Sequence, residues 1–371
     1  MKKIPVCEPS LLGNELAYVM DALKTTWISS AGAYLDRFEK GFGRYLGRKY
    51  AVATNNGTAA LHIALAACGI SKGDEVIAPD FTMISPVFAI CYCNACPVFV
   101  DVDPHTWTID PDQIEKKITG KTKAILAVHI YGHPADMRAI LRIARKHKLL
   151  VIEDAAEAHG AACNGKKCGT LSDIAAFSFY ANKIITTGEG GMVVTDDERL
   201  ANKAKGYKNL CFPMKGARTF IHESIGFNYR MTNIQAAIGL AQLEKIAYYA
   251  GRRRRNAKIY TSLLKDVSAL QLPIERPWAR NCYWMYAVLL KTASGVSRDS
   301  IMNHLAGKGI ETRPFFIPMH RQPSLKRYGA DCSGKFPVSD YLGENGFYLP
   351  SGSNLSRQDI EFVCAMVKKY T

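Results

Sequence analysis

The sequence predicts an α/β protein with a mostly parallel central sheet flanked by helices and a smaller C-terminal α+β domain. Three observations carry this reading. From about residue 50 to 195, short apolar runs alternate with longer amphipathic ones. The run Leu149–Val151–Ile152 ends in Glu153 and Asp154, as a buried parallel strand ends at a functional edge. After Arg255 the pattern changes, and 371 residues suit one large domain, 1–249, plus a small one, 250–371.

Taken in order, Tyr50–Ala53 reads as a strand leading into a helix from Thr58 to Cys68. Glu75–Ala78 leads into a helix near Ser85 to Tyr92, and strands at Pro97–Val100 and Ala124–Val128 precede a helix over Ala135 to His147. Right-handed crossovers then align the strand C-termini along one edge. Gly191–Thr195 reads as another strand, Asn233 to Tyr249 as one long helix, Tyr283–Leu290 as a strand and Ser297 to Leu305 as a short helix.

Composition narrows the class. No apolar run reaches the roughly 18 residues of a membrane span, and Met1–Val6 lacks a leader pattern, so a cytoplasmic protein is expected. The eleven cysteines show neither paired zinc spacing nor the density of a stapled secreted domain; reduced thiols and no metal are expected. The net charge of +15 admits nucleic acid, an anionic surface or a phosphorylated ligand. Its densest run, Arg252–Arg255, reads as the exposed side of a helix, and no aromatic-interleaved basic stripe argues for nucleic acid.

Chemistry concentrates at Lys183, set between the apolar Phe177–Tyr180 stretch and the glycine-rich Gly188–Gly191. Desolvation there makes an amine nucleophilic towards an aldehyde, which points to Schiff-base chemistry; the competing reading is an exposed loop charge. Asn56–Gly57–Thr58 follows a strand and opens a helix, a phosphate cradle or a turn that needs glycine for geometry. Asp154 either caps the next helix or keeps a pyridine nitrogen protonated, as pyridoxal phosphate requires.

Seven stretches resemble the DegT/StrS family of fold type I sugar aminotransferases along nearly the whole chain. They are Thr25–Ser30, Asn56–His62, Gly73–Ile77, Val128–His133, Ile152–Ala158, Phe177–Gly191 and Gly226–Ala237. The resemblance implies pyridoxal 5'-phosphate bound to Lys183 as a Schiff base, its phosphate held by Gly57, Thr58 and Ser178, its ring nitrogen by Asp154 and its 3-hydroxyl side by Glu157. It implies a homodimer with shared active sites, in which Asn228 reaches the neighbour's cofactor phosphate. Arg230 is expected to receive the amino donor's carboxylate, and Trp27, Ser29, Ser30, Arg313 and His320 to approach the nucleotide sugar. A loop pair satisfying backbone groups competes for Asn228 and Arg230, a core position for Trp27 and an ordinary buried histidine for His320.

Within the family the combination most resembles the perosamine-forming branch, which aminates C4 of GDP-4-keto-6-deoxymannose with L-glutamate. A dTDP- or UDP-linked sugar is the alternative. The dehydratases of the same fold carry histidine in place of Lys183, and a cofactor-binding regulator needs an appended module for which the chain leaves no room. Three departures stand out: Met83 stands where the family usually stacks an aromatic ring on the cofactor, which bears on how tightly the cofactor sits, while Ile317, where perosamine-forming members tend to have histidine, and Cys211–Arg218, which replaces a glycine-rich stretch, bear on the sugar.

Overall fold

The computed structural model describes residues 3–213, 219–222, 224–291 and 295–371. Its centre is a seven-stranded sheet formed by β1 (Tyr50–Thr54), β2 (Glu75–Pro79), β3 (Cys96–Val100), β4 (Thr122–Val128), β5 (Leu150–Asp154), β6 (Ile174–Ser178) and β7 (Gly191–Thr195). The spatial order is β1-β7-β6-β5-β4-β2-β3, and every pair is parallel except the two that β7 makes, which are antiparallel. The sheet is therefore mostly parallel. Helices Gly57–Ala67 and Ile84–Tyr92 bury residues such as Leu61, Ile63, Val87 and Ile90, while Met137–His147 buries Ile140 and Ile143 against β4 and β5. A four-stranded antiparallel sheet uses Leu270–Gln271, Tyr286–Leu290, Arg313–Pro314 and Gly346–Leu349, backed by the helix Arg357–Tyr370.

Four details differ from the sequence reading. β6 was hidden because Ile174–Ser178 is a short run between turns. The expected helix from Asn233 to Tyr249 is two, Asn233–Glu244 and Ile246–Leu264, hinged at Lys245, and the second runs on through residue 250. The strand expected from Tyr283 starts at Tyr286, because Tyr283 takes a left-handed φ of 50° that breaks the extended run. The four arginines are not all on an exposed face: Arg253 is 2% exposed. Its guanidinium donates to the carbonyls of Trp284 and Ser351 and to Ser353 Oγ, so neutral acceptors replace its water.

One buried carboxylate ties the strand ends together. Glu153 is fully buried and accepts from His129 Nε2 (3.0 Å), from the amides of Gly169 (2.7 Å), Leu171 (2.9 Å) and Ser172 (3.0 Å), and from Ser172 Oγ (2.7 Å). Burial pushes its pKa up, but the His129, Gly169 and Ser172 bonds outweigh burial and hold it below the usual carboxylate range. The Ala135 amide donates to His129 Nδ1 (3.0 Å), which leaves Nε2 to donate to Glu153. Cys168 completes a cluster of ligand-type atoms within 4.8 Å of one another, yet those of His129 and Glu153 are committed to protein donors and acceptors, and burial keeps the Cys168 thiol protonated. The cluster is a hydrogen-bond knot that fixes the 169–172 turn against β5. Glu153→Gln turns two acceptor oxygens into one and sets an NH₂ against N–H donors; we expect a loss of about 3 kcal/mol or more in urea unfolding. A loss below about 1 kcal/mol would mean the knot is not what holds the turn.

Candidate active site

The C-terminal ends of β5 and β6 and the start of the helix after β1 converge on a cavity of about 690 Å³. Gly57, Thr58, Asp154, Glu157, Ser178 and Lys183 all line it, so the structure brings together six of the expected residues.

The helix Gly57–Ala67 begins there because Asn56 is extended and its side chain accepts from the Ala59 amide at 2.8 Å. That leaves the Gly57 and Thr58 amides, which the helix itself cannot satisfy, at the cavity wall. Gly57 is required by close approach: a Cβ there would lie 2.7 Å from Ser178 Cβ. Thr58 Oγ1 donates to Ser85 Oγ (2.8 Å), and Ser178 Oγ accepts from the Tyr180 amide (3.3 Å). Two helix-start amides with no partner among the described residues, and two hydroxyls alongside, suit a phosphate.

Opposite this cradle sit the acids and the amine. Asp154, the last residue of β5, is 5% exposed and accepts one hydrogen bond among the described residues, from the Ala156 amide to Oδ1 (3.0 Å). Burial raises its pKa, with the Ala156 amide and Lys183 pulling it back. Glu157 Oε2 accepts from the Tyr131 amide (2.6 Å), which Tyr131 presents from a left-handed φ of 52°. Glu157 Oε1 lies 3.7 Å from Lys183 Nζ, and burial pushes the Glu157 pKa up to about 7 despite Lys183 and the Tyr131 amide. The Lys183 side chain is 10% exposed; burial lowers its amine's pKa, and Glu157 and Asp154 counter this. Lys183 is thus a desolvated amine rather than a surface charge.

The matching family model, described as the DegT/DnrJ/EryC1/StrS aminotransferase family, spans residues 9–368. The chain belongs to this family. Among its relatives, a GDP-perosamine synthase of Escherichia coli O157:H7 is 46% identical over 100% of this chain and 99% of its own length. A GDP-perosamine synthase of Caulobacter vibrioides is 46% identical over 98% and 97%. The crystal structure of S. venezuelae DesV in complex with a ketimine intermediate superposes with a TM-score of 0.93 at 33% identity, covering 100% of this chain and 99% of that one. The protein is a pyridoxal phosphate-dependent aminotransferase.

The cavity fits that cofactor: two helix-start amides with no partner among the described residues for a phosphate, a buried acid with an acceptor oxygen to spare, and a dry amine. When bound, the cofactor would supply an electron sink for the electron pair left on the amino donor's α-carbon when its proton is removed. The chain's own part is then plain. On this lining, Asp154 would face the ring nitrogen and keep it protonated, the Gly57 and Thr58 amides would hold the phosphate, Glu157 would lie towards the 3-hydroxyl side, and Lys183 would serve as base and then acid.

The other expected residues lie outside the lining. Asn228 is exposed, and Arg230, next to the lining residue Tyr229, donates to Asn209 Oδ1 (3.0 Å). Arg313 is 60% exposed and paired with Glu311. His320 is gripped by Asp80 (2.7 Å) and Asp340 (3.2 Å) and stacks on Phe336, so it ties the end of β2 to the C-terminal part. Trp27 is 59% exposed, which excludes the core reading, and its carbonyl accepts from Asn233 Nδ2 (2.6 Å). Ser29 is exposed and its carbonyl accepts from the Asn233 amide. Met83 lines the cavity with its Sδ accepting from the Ser85 amide (3.0 Å), whereas Ile317 is 52% exposed and outside the lining. Residues 214–218 of the Cys211–Arg218 departure lie outside the described residues.

Sequence reasoning missed Trp284, whose ring centroid is 3.7 Å from Lys183 Nζ, and Tyr229, which also lines the cavity. Tyr229 sat inside a recognised stretch; Trp284 lay a hundred residues from the lysine, in a run read as strand.

Two outcomes test this geometry. Gly57→Ala should weaken cofactor binding at least about tenfold while far-UV circular dichroism stays native, since the new methyl pushes Ser178 from the cradle; unchanged affinity would remove the cradle's role. Folded Glu157 keeps its proton up to about pH 7, while its ordinary value is 4.5, so the cofactor-free protein loses stability as pH rises through that window. The loss is of order 3 kcal/mol. Glu157→Gln should flatten the fall; a parallel pH–stability curve for both proteins would show another group is responsible.

Proposed function

We propose that the protein is a GDP-perosamine synthase, which transfers the amino group of L-glutamate to C4 of GDP-4-keto-6-deoxymannose and releases 2-oxoglutarate. The full-length 46% identity to two GDP-perosamine synthases carries the choice of sugar, and the dry Lys183 between two acids carries the choice of amino transfer over dehydration. The reaction then runs in two halves with Lys183 as the proton carrier in each. In this reading the enzyme works in the cytoplasm, and its product serves O-antigen assembly.

The same reading makes the enzyme a homodimer with shared sites. On the N-terminal helix Glu15–Lys24 and its flanks, Leu12, Leu16, Met20, Leu23 and Trp27 are between 43% and 77% exposed, at spacings that form one apolar stripe. A second copy is the natural cover for such a stripe. Asn228, exposed and away from its own chain's cavity, then faces a neighbour's cofactor phosphate, and Arg230 and Arg313 meet the donor carboxylate and the sugar nucleotide from the rim.

Incubating the purified enzyme with L-glutamate and GDP-, dTDP- or UDP-linked 4-keto-6-deoxy sugars, followed by mass spectrometry, decides the substrate. The GDP sugar should be consumed to its 4-amino product with matching 2-oxoglutarate. Selective turnover of a dTDP or UDP sugar would overturn the assignment, and a 3-deoxy product would replace transamination by dehydration.

A further inference from the structure

Lys183 Nζ makes no hydrogen bond shorter than its 3.7 Å approach to Glu157 among the described residues, and it sits over the face of an indole, 3.7 Å from the Trp284 ring centroid. Trp284 is 3% exposed. Its Nε1–H donates to the carbonyl of Asn182 (2.9 Å), the residue before Lys183, and its own carbonyl accepts from Arg253 Nη1 (2.9 Å). The ring is also stacked at 16° on Tyr131, whose amide holds Glu157. Gly132 makes this possible, since a Cβ there would sit 2.8 Å from the Trp284 amide. The indole is thus fixed from three sides, with its face towards the amine.

We infer that Trp284 is a positioning residue for the released lysine: its π face receives the Lys183 ammonium whenever the amine is not bonded to the cofactor, and keeps it from collapsing onto either acid. The physical case is one of competition. A carboxylate in direct contact with a dry ammonium would hold it too tightly for a group that must give up and regain a proton in each half-reaction. A ring quadrupole attracts the cation without offering it a proton acceptor. The other groups around the amine leave the ring this role. Glu157 stands off at 3.7 Å, Asp154 faces the cavity, burial keeps the Cys282 thiol protonated with a pKa of about 12, and burial keeps His159 neutral with a pKa of about 3. Arg253 touches Trp284 only through its carbonyl and Lys183's neighbour only through the Asn182 carbonyl. The inference rests on the family's amino-transfer chemistry and is independent of which sugar is used.

The test uses holoenzyme loaded with pyridoxamine phosphate, in which Lys183 carries no bond to the cofactor. Acetylation of Lys183 by acetic anhydride is followed by peptide mass spectrometry across pH. Tryptophan at position 284 is replaced by mono-, di- and tetrafluorotryptophan, which weaken the ring quadrupole while nearly preserving its shape, and in parallel by Trp284→Phe and Trp284→Leu. If the ring holds the ammonium, acetylation at neutral pH rises stepwise with each fluorine, about three- to tenfold over the series. Trp284→Phe then falls between the wild type and Trp284→Leu, and kcat falls in the same order with little change in KM. Acetylation that ignores fluorination, or a Trp284→Phe enzyme as impaired as Trp284→Leu, overturns the inference and leaves Trp284 a packing residue. The fluorinated series keeps the indole N–H and the fold, so it decides the matter even if Trp284→Leu does not fold.

Discussion

A charged amine cannot sit in a dry cavity without company, and the arrangement around Lys183 is the constraint from which the rest of the site follows. Its side chain is 10% exposed, so burial works against the ammonium, while Glu157, Asp154 and the Trp284 face work for it. They come from two distant parts of the chain. Asp154 ends β5, Glu157 follows it by one turn, and Trp284 arrives from the approach to the smaller sheet. A lysine here is therefore competent only in the folded state, and the two sheets must be docked before its chemistry exists.

Glu153 and Asp154 show how one strand serves structure and chemistry with adjacent residues of the same charge. Successive side chains point to opposite faces. Glu153, on one face, is saturated by five donors and held ionised, which fixes the His129 ring and pins the 169–172 turn. Asp154, on the other, keeps acceptor capacity unspent and its pKa raised by burial. The unsaturated acid is the one available to a ligand. Saturation of the first makes the register of β5 rigid, and that rigidity fixes where the second acid stands.

Local signals in the sequence carried the sheet and the cofactor side of the site. Apolar runs ending in Asp154, the Asn56–Gly57–Thr58 turn and the glycine-flanked Lys183 each state their role within a few residues, because a strand end, a helix start and a desolvated amine depend on their immediate neighbours. Trp284 and Arg253 do not. Trp284 meets Lys183 across a hundred residues, and its exit from the strand depends on a left-handed Tyr283 packed against Gly132, a conformation that a run of aromatic residues gives no reason to expect. Arg253 sits in a block of four arginines whose composition says solvent, yet it is buried against the carbonyls of Trp284 and Ser351 and the hydroxyl of Ser353.

The division between firm and loose parts of the site also has an energetic basis. Asp154, Glu157 and Trp284 are buried and bonded to backbone groups, and Lys183 packs between Glu157 and the Trp284 ring, so replacing any of them disturbs several contacts at once. Trp27, Ser29, Arg313 and Ile317 are exposed, and exchange at such positions changes stability by only about 0.5 kcal/mol. A fold of this kind holds its reaction in its core while its rim is free to vary with the substrate. Met83 stands at the boundary: it lines the cavity, remains 42% exposed, and its sulfur is engaged by the Ser85 amide, whose hydroxyl in turn receives that of Thr58. Its thioether is therefore coupled to the phosphate cradle as well as to the space above it, so a change at this one position reaches the cofactor through two routes, packing and the Ser85–Thr58 pair.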